Sequence, residues 1–400
     1  MDLNTVMKLD EQYYMNTFGK RTPVCFTKGH GLYLYDTDGN RYVDFLAGIA
    51  VSALGHTHPV LTAALHKQID CLLHTSSLYY IENQARLAEQ IVKHSAADKV
   101  FFANSGAEAN EGAIKLAKMY FYKKNQPEKN EIITLTNSFH GRTLACVAAT
   151  GQTKYQKPYR PLTPGFTHVP ANDFDALAAA VTEHTAAIMV ELIQGESGVH
   201  PLDADYVAKL AALCKEKDIL LIVDEIQTGM GRTGALFCYE NYGIAPDIFT
   251  LAKALGGGVP IGAVCAKDEI AAAFEPGDHG TTFGGNPLAT AAGLAVFEVM
   301  DSEHLAENAK TVGRYLKEAL VALTAQYPVI EEVRGMGLML GVAFNKPIAK
   351  AVQKALFNEK YLVGAVGDSL LRLAPPLIIN QTEADAFVKA LEAALSAVTE

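Results

Sequence analysis

In LAKALGGGVPIGA, residues 251–263, a single lysine, Lys253, sits among small apolar residues and three consecutive glycines. An amine placed there is partly desolvated, and desolvation weakens the preference of an ammonium group for its charged form. The free amine then becomes a usable nucleophile and proton carrier. A loop lysine that snorkels its head group to solvent fits the same letters. The second acid–base signal is ILLIVDEIQTG, where an aliphatic run leads directly into Asp224 and Glu225. A carboxylate at the end of a buried strand asks for a cation or a donor opposite it. A turn or cap acid is the plainer alternative.

Two further strand ends carry candidate binding groups. KVFFA runs into NSGAEANEGAIKLAKMY, whose later part has helical spacing. A helix that begins there presents free N–H groups and a positive dipole to an anion such as phosphate, with Ser105 adding a hydroxyl and Gly106 and Ala107 allowing close approach. Ser105 and Glu108 also spell an S-x-x-E capping box, which needs no ligand. After EIITLT, the stretch NSFHGRT offers Phe139, an aromatic face for a planar cofactor, and Arg142, a fork for a carboxylate. Core packing for Phe139, a surface ion pair for Arg142 and a structural role for His140 stay open. Together, a phosphate cradle, a stacking ring, a strand-end carboxylate and a desolvated lysine are what pyridoxal 5′-phosphate requires of a protein.

Other chemistries find less support. GMGRTG, Gly229 to Gly234, satisfies the G-x-G-x-x-G expression of dinucleotide-binding folds, with Asp247 at a tolerable distance for a ribose. Its glycines start several polar residues after the strand, and ALFCYENYGIAPD follows where a helix is required, so a dehydrogenase is a secondary reading. AKALGGG is no Walker loop, because its lysine precedes the glycines and no G-K-[ST] occurs. The six cysteines form no C-x-x-C pair, and the H-x-H of His56 and His58 lacks companions, so reduced thiols and no metal are expected. A net charge of −10 without any basic run argues against nucleic acid. Runs such as ILLIV and AAIMV fall short of the roughly 20 residues of a membrane span. MDLNTVMKLDEQYY carries acids and no apolar signal core, so a cytoplasmic location is expected.

The elements that must position these groups follow from the patterning. GHGLYLYDTDGNRYVDFLAG reads as a hairpin turning at DTDGN. From about residue 60, helices alternate with short, continuously apolar strands: KVFFA, EIITLT, TAAIMVEL, ILLIVDE, DIFTLA and GAVCA. That alternation predicts an α/β core around a mostly parallel sheet covered on both faces, with ligands beyond the carboxyl ends of its strands. After GGNPLATAAGLAVFEVM the pattern turns to long amphipathic helices and short strands, an α+β unit expected to join the N-terminal hairpin in a smaller domain.

The chain resembles the class III pyridoxal-phosphate aminotransferases of fold type I. The resemblance runs through GLYLYDTDGNRYVDFLAGIAVSALGHTHP, SLYYIENQARLA, FFANSGAEANEGAIKLA, SFHGRTLACVAATGQTKYQ, VELIQGESGV, LLIVDEIQTGMGRTG, PDIFTLAKALGGGVPIGA, HGTTFGGNPLA and LRLAPPL. It implies a large cofactor domain at 57–290 around a mixed, mostly parallel seven-stranded sheet, and a small domain from 1–56 and 291–400. It implies that Lys253 carries the cofactor covalently, Asp224 pairs with the pyridine nitrogen and Gln227 contacts the phenolic oxygen. Ser105, Gly106 and Ala107 would bind the phosphate, and Phe139 would stack on the ring. Glu225 and Ile226 would belong to the same cofactor-binding stretch. Thr282 would reach the phosphate of the other subunit's cofactor in a homodimer whose active site is shared across the interface, with Thr281 near the substrate.

Arg142 would hold the carboxylate of an N-acylated ornithine, and Arg372 the α-carboxylate of glutamate or 2-oxoglutarate, with Glu196 masking Arg372 in the amine half-reaction. The implied reaction moves the terminal amine of N2-acetyl-L-ornithine to 2-oxoglutarate. Siblings acting on succinylornithine, succinyldiaminopimelate, ornithine or 4-aminobutyrate are the nearest alternatives. Ala107 stands where many members carry threonine, Thr281 where serine is commoner, and Ile49 where ornithine-specific members tend to place tyrosine.

Overall fold

The computed structural model describes residues 1–399, and a seven-stranded sheet occupies the middle of the chain. Side by side, the strands are Lys99–Ala103, Gly262–Ala266, Ile248–Leu251, Leu220–Asp224, Thr185–Val190, Glu131–Leu135 and Phe166–Val169. Gly262–Ala266 runs antiparallel to both neighbours, and the other pairings are parallel. The architecture is α/β with the expected mixed sheet.

Every residue of Thr185–Val190 and Leu220–Asp224 is buried, which is why their sequences show continuous apolar runs rather than alternation. The six apolar runs named above all became strands of this sheet. Phe166–Val169 gave no comparable signal, because it is a four-residue edge strand with polar Thr167 and His168 and is only partly covered. The GMGRTG stretch forms turns, and its Arg232 is wholly buried, donating from Nη1 to the carbonyl oxygens of Leu338 (3.0 Å) and Pro375 (2.5 Å). It ties this loop to the C-terminal part of the chain.

The two ends of the chain meet in smaller sheets. The expected hairpin forms from Tyr33–Asp36 and Arg41–Asp44, and Asp36 accepts the turn N–H groups of Asp38 and Asn40. Tyr361–Leu362 then adds in parallel beside Arg41–Asp44. A second sheet holds Ile330–Met336, Met339–Phe344, Leu370–Leu373 and Gly364–Val366, and it carries Arg372. Phe45 stacks on Phe387 of the last helix, Gln381–Thr399, with centroids 4.1 Å apart and planes inclined by 17°.

Beyond Phe45 the backbone takes four consecutive left-handed residues, Ala47 (φ 50°), Gly48 (64°), Ile49 (64°) and Ala50 (64°). Non-glycine residues adopt this region at a cost of about 1–2 kcal/mol each, so the surroundings must hold it. Asp44 does so in part by accepting the N–H groups of Leu46 and Ala47, while its other oxygen meets His56 Nε2 at 2.9 Å. The histidines of the H-x-H part ways, His56 to Asp44 and His58 to Glu303.

Candidate active site

The carboxyl ends of the central strands converge on a cavity of about 430 Å³. Ser105, Gly106, Ala107, Phe139, Arg142, Asp224, Ile226, Gln227 and Lys253 all line it, residues drawn from separate stretches of sequence. Asp224, the last residue of its strand, is 4% exposed. Its Oδ2 accepts from Asn110 Nδ2 at 2.8 Å and meets His140 Nδ1 at 2.9 Å, and its Oδ1 accepts from the N–H of Ile226 at 3.0 Å. Asn110 also donates to the His140 carbonyl (2.7 Å) and accepts from Thr250 Oγ1 (2.8 Å), so its amide is fixed on both sides. A carboxylate is acceptor-only, so His140 carries its proton on Nδ1 and donates it to Asp224. The aspartate is thereby aimed by donors from three different elements.

Lys253 begins a short 3₁₀ turn just beyond Ile248–Leu251, with φ at 44°. The left-handed backbone swings its side chain into the cavity rather than along the strand direction. Burial is the main cause of a pKa lowered from the usual lysine range, with Arg372 adding to it and Glu196, Asp224 and Glu191 opposing it. The amine is therefore closer to its free, reactive form than a surface lysine.

On the opposite side, the helix Gly106–Lys123 points its N-terminus at the cavity. Ser105 caps it, accepting the N–H of Glu108 at 3.2 Å, while Glu108 Oε2 reaches past Ser105 to the N–H and Nδ2 of Asn104, both at 2.8 Å. The capping box is thus real but displaced by one residue. The N–H groups of Gly106 and Ala107 have no acceptor among the described residues. A Cβ on Gly106 would come within 2.8 Å of Ile226, so glycine is what lets the helix start this close to the strand end. An uncommitted helix N-terminus and the buried, unpartnered Oε1 of Gln227 fit a cofactor carrying both a phosphate and ring oxygen or nitrogen functions.

Phe139 and Arg142 form one wall. The N–H of Phe139 donates to Glu191 Oε2 at 2.8 Å. Glu191 lines the cavity, and burial, reinforced by the nearby Asp224 charge, pushes its carboxyl well above the usual carboxylate range. Near the cavity, the strand Leu370–Leu373 brings in Arg372. Arg372 Nη1 donates to Glu196 Oε1 at 2.7 Å, and Gln227 Nε2 approaches the same oxygen at 3.4 Å. Burial acts to raise the pKa of Glu196, but the charge and hydrogen bond of Arg372 outweigh it and hold the carboxyl below its ordinary value. Neither Glu196 nor Arg372 lines the cavity itself, yet both stand close enough to bear on the charge of Lys253.

Three sequence-derived candidates lie elsewhere. Glu225, next to Asp224, projects its carboxylate away from the cavity, accepting from Thr228 Oγ1 (2.5 Å) and from the N–H of Tyr239 (2.9 Å). Adjacent residues at a strand end face opposite sides, so one of two neighbouring acids is necessarily turned into the packing. Thr281 is outside the cavity, held by Asn104 Nδ2 at 3.2 Å, and Thr282 is exposed beside Phe283. Sequence reasoning passed over Glu191 and Val51 as cavity groups and Asn110 as a partner of Asp224, and left His140 structural. Asn110 and Glu191 carried no motif of their own, since a helix-interior asparagine and a strand-following glutamate show nothing until the strands are aligned.

The family model described as aminotransferase class-III matches residues 14–395. The acetylornithine aminotransferase of Gloeobacter violaceus is 52% identical over 389 residues, spanning 97% of this chain and 97% of that one. That of Methanocaldococcus jannaschii is 50% identical over 386 residues, spanning 96% of each. Among solved structures, the ornithine aminotransferase of Toxoplasma gondii superposes with a TM-score of 0.96 at 33% identity, over 100% of this chain and 96% of that one.

Proposed function

The chain belongs to the class-III aminotransferases, pyridoxal 5′-phosphate enzymes of fold type I, and on that premise we propose that it transfers the terminal amine of N2-acetyl-L-ornithine to 2-oxoglutarate. The products are N-acetyl-L-glutamate 5-semialdehyde and L-glutamate, and the step belongs to arginine biosynthesis. The observation that carries the reading is a pair of unlike carboxylate handles around one lysine. Arg142 has no ion pair among the described residues, whereas Arg372 is masked by Glu196. One pocket then serves two kinds of substrate. With Arg372 masked, an amine whose carboxylate is distant from the reacting nitrogen is held by Arg142 alone. With Glu196 displaced, an α-amino or α-keto acid places its own carboxylate on Arg372. Identity near 50% with proteins bearing the acetylornithine name supports the choice of amine.

The roles of the chain's residues follow. Gly106 and Ala107 donate N–H groups to the phosphate and Ser105 adds its hydroxyl, while Phe139 and Ile226 bracket the ring. Asp224, oriented by His140 and Asn110, would accept a hydrogen bond from the protonated pyridine nitrogen, and Gln227 would contact the phenolic oxygen. Bound pyridoxal phosphate supplies a ring that accepts the electron pair left when the substrate's C–H bond breaks. Lys253 would take the proton from the carbon bearing the transferred nitrogen and return it on the far side of that nitrogen.

We assign the domain division to residues 1–56 with 291–400, and 57–290, supported by the pairing of Tyr361–Leu362 with Arg41–Asp44; the later boundary falls inside the helix Pro287–Ser302. A homodimer is part of the same proposal. Leu78, Tyr79, Tyr80 and Phe283 are large exposed apolar side chains, and the His74 ring, 5.3 Å from Phe283, joins that segment to the Thr281–Thr282 loop. Such a patch supports burial against a second copy, where Thr282 would reach the other subunit's phosphate. No helix among the described residues is long and apolar enough to cross a membrane, and the six cysteines are free, which supports a reducing, cytoplasmic setting.

The test is to mix holoenzyme with a panel of amine donors and rank the rates at which the visible absorbance of the cofactor is lost. N2-acetylornithine should lead. If ornithine or 4-aminobutyrate outruns it, the assigned amine is wrong while the family stands.

A further inference from the structure

The guanidinium of Arg142 lies over the ring of Tyr155 at 4.1 Å from its centroid, closer than its 5.6 Å to the ring of Phe139. The two rings meet edge to face, with centroids 5.7 Å apart and planes inclined by 72°. Lys154 adds a second cation over Tyr155 at 4.8 Å. No hydrogen bond or ion pair of Arg142 to the protein occurs among the described residues, and the residue is otherwise exposed. An exposed arginine without a partner samples many rotamers, and ordering it on ligand binding costs affinity. Here the guanidinium carbon sits over an aromatic ring, and no N–H of the fork has an acceptor among the described residues.

We propose that Tyr155 is a positioning residue for the amine substrate. It pins the Arg142 fork in register with Phe139, and so fixes the distance between the substrate's carboxylate and the reacting nitrogen above the cofactor plane. This rests on the reading of Arg142 and Phe139 given above. Phe139 is common to both ends of the arrangement: its ring faces the cavity, and its edge meets the ring that carries Arg142. Tyr155 itself does not line the cavity, so its influence passes through Arg142. The hydroxyl plays no part, because the contact is with the ring face. The acylated amine has no other carboxylate handle, whereas glutamate also places its α-carboxylate on Arg372, so the arrangement bears more on the half-reaction with the acylated amine.

The experiment follows each half-reaction separately on the holoenzyme, by single-turnover absorbance with N2-acetylornithine and with glutamate. Tyr155→Leu should raise the half-saturating concentration of N2-acetylornithine about fourfold, the scale of one exposed cation–π contact. The maximal rate should stay within about twofold, and saturation by glutamate, which keeps its α-carboxylate on Arg372, should weaken less than saturation by N2-acetylornithine. Tyr155→Phe should match the parent in both. Tyr155→Met carries the same expectation as Tyr155→Leu should the latter fail to give holoenzyme. In an Arg142→Lys background, which lacks the planar fork, Tyr155→Leu should add less than about twofold. Equal losses in both half-reactions, a Tyr155→Phe variant as weak as Tyr155→Leu, or no change in Tyr155→Leu would each overturn the proposal. If Arg142→Ala leaves acetylornithine saturation unchanged, the underlying reading of Arg142 is what fails.

Discussion

The floor of the cavity and the surroundings of Arg372 are built on different principles. At the floor, Asp224, Asn110, His140 and Thr250 form a hydrogen-bond network on the ends of packed strands and a helix, in which the Asn110 amide and both oxygens of Asp224 have partners and only His140 Nε2 has none. Around Arg372, Gln227 Oε1 and Arg372 Nε are buried without partners, and one carboxylate, Glu196, is shared between Arg372 and Gln227. Buried polar groups are ordinarily satisfied. The difference marks a fixed support for the group common to both half-reactions and an exchangeable contact where one ligand replaces another.

The largest effect that tests this contrast is at the floor. Lys253→Ala should slow both half-reactions by about 10⁴-fold, the upper range for a positioned general base. Borohydride treatment and peptide mapping should then find no pyridoxyl label at residue 253. A variant that keeps either half-reaction near the parent rate would show that the floor is not shared.

Behind the floor, Glu225 sets a pH dependence of stability. Burial raises its pKa from 4.5 to about 7, with the Thr228 hydroxyl and the Tyr239 N–H opposing the rise. The folded state therefore binds a proton that the unfolded state has released, and this contribution, about 3 kcal/mol, is complete below pH 4.5. It is lost as pH climbs through about 7. Denaturant unfolding of the parent across this interval should show the decline, and Glu225→Gln should flatten it. Identical slopes would remove Glu225 as the cause.

Around Arg372, the two half-reactions should separate. Arg372→Ala should weaken glutamate turnover about 100-fold, the cost of removing one partner from a buried charge pair, while acetylornithine loses less than about tenfold. The smaller change is Glu196→Gln, which unmasks Arg372. It should slow the amine half-reaction by about tenfold and leave the glutamate half-reaction near the parent. Parallel losses in both would erase the distinction between the floor and the surroundings of Arg372.

Much of this was legible beforehand. The strand ends bearing Asp224, the Ser105 cap and the Phe139–Arg142 pair declare themselves because continuous apolar runs end abruptly in polar residues. Phe166–Val169 did not, since an edge strand needs no such run. Asp224 and Glu225 were indistinguishable as letters, and only the direction of each side chain assigned one to the cavity and the other to the packing. Tyr155 gave no signal either, because a tyrosine in a short helical turn acquires meaning only from the guanidinium laid across it.

The sequence by itself determined the alternation of helix and strand, the α/β class and the types of residue gathered at strand ends, because burial pattern and capping are local properties of the chain. Tertiary structure alone decided which of those residues meet. Asn110 reaches Asp224 across 114 positions and Glu196 reaches Arg372 across 176. Separations of that size are closed by sheet order and by the docking of the two ends of the chain, which depend on the packing of the whole core rather than on any stretch of it.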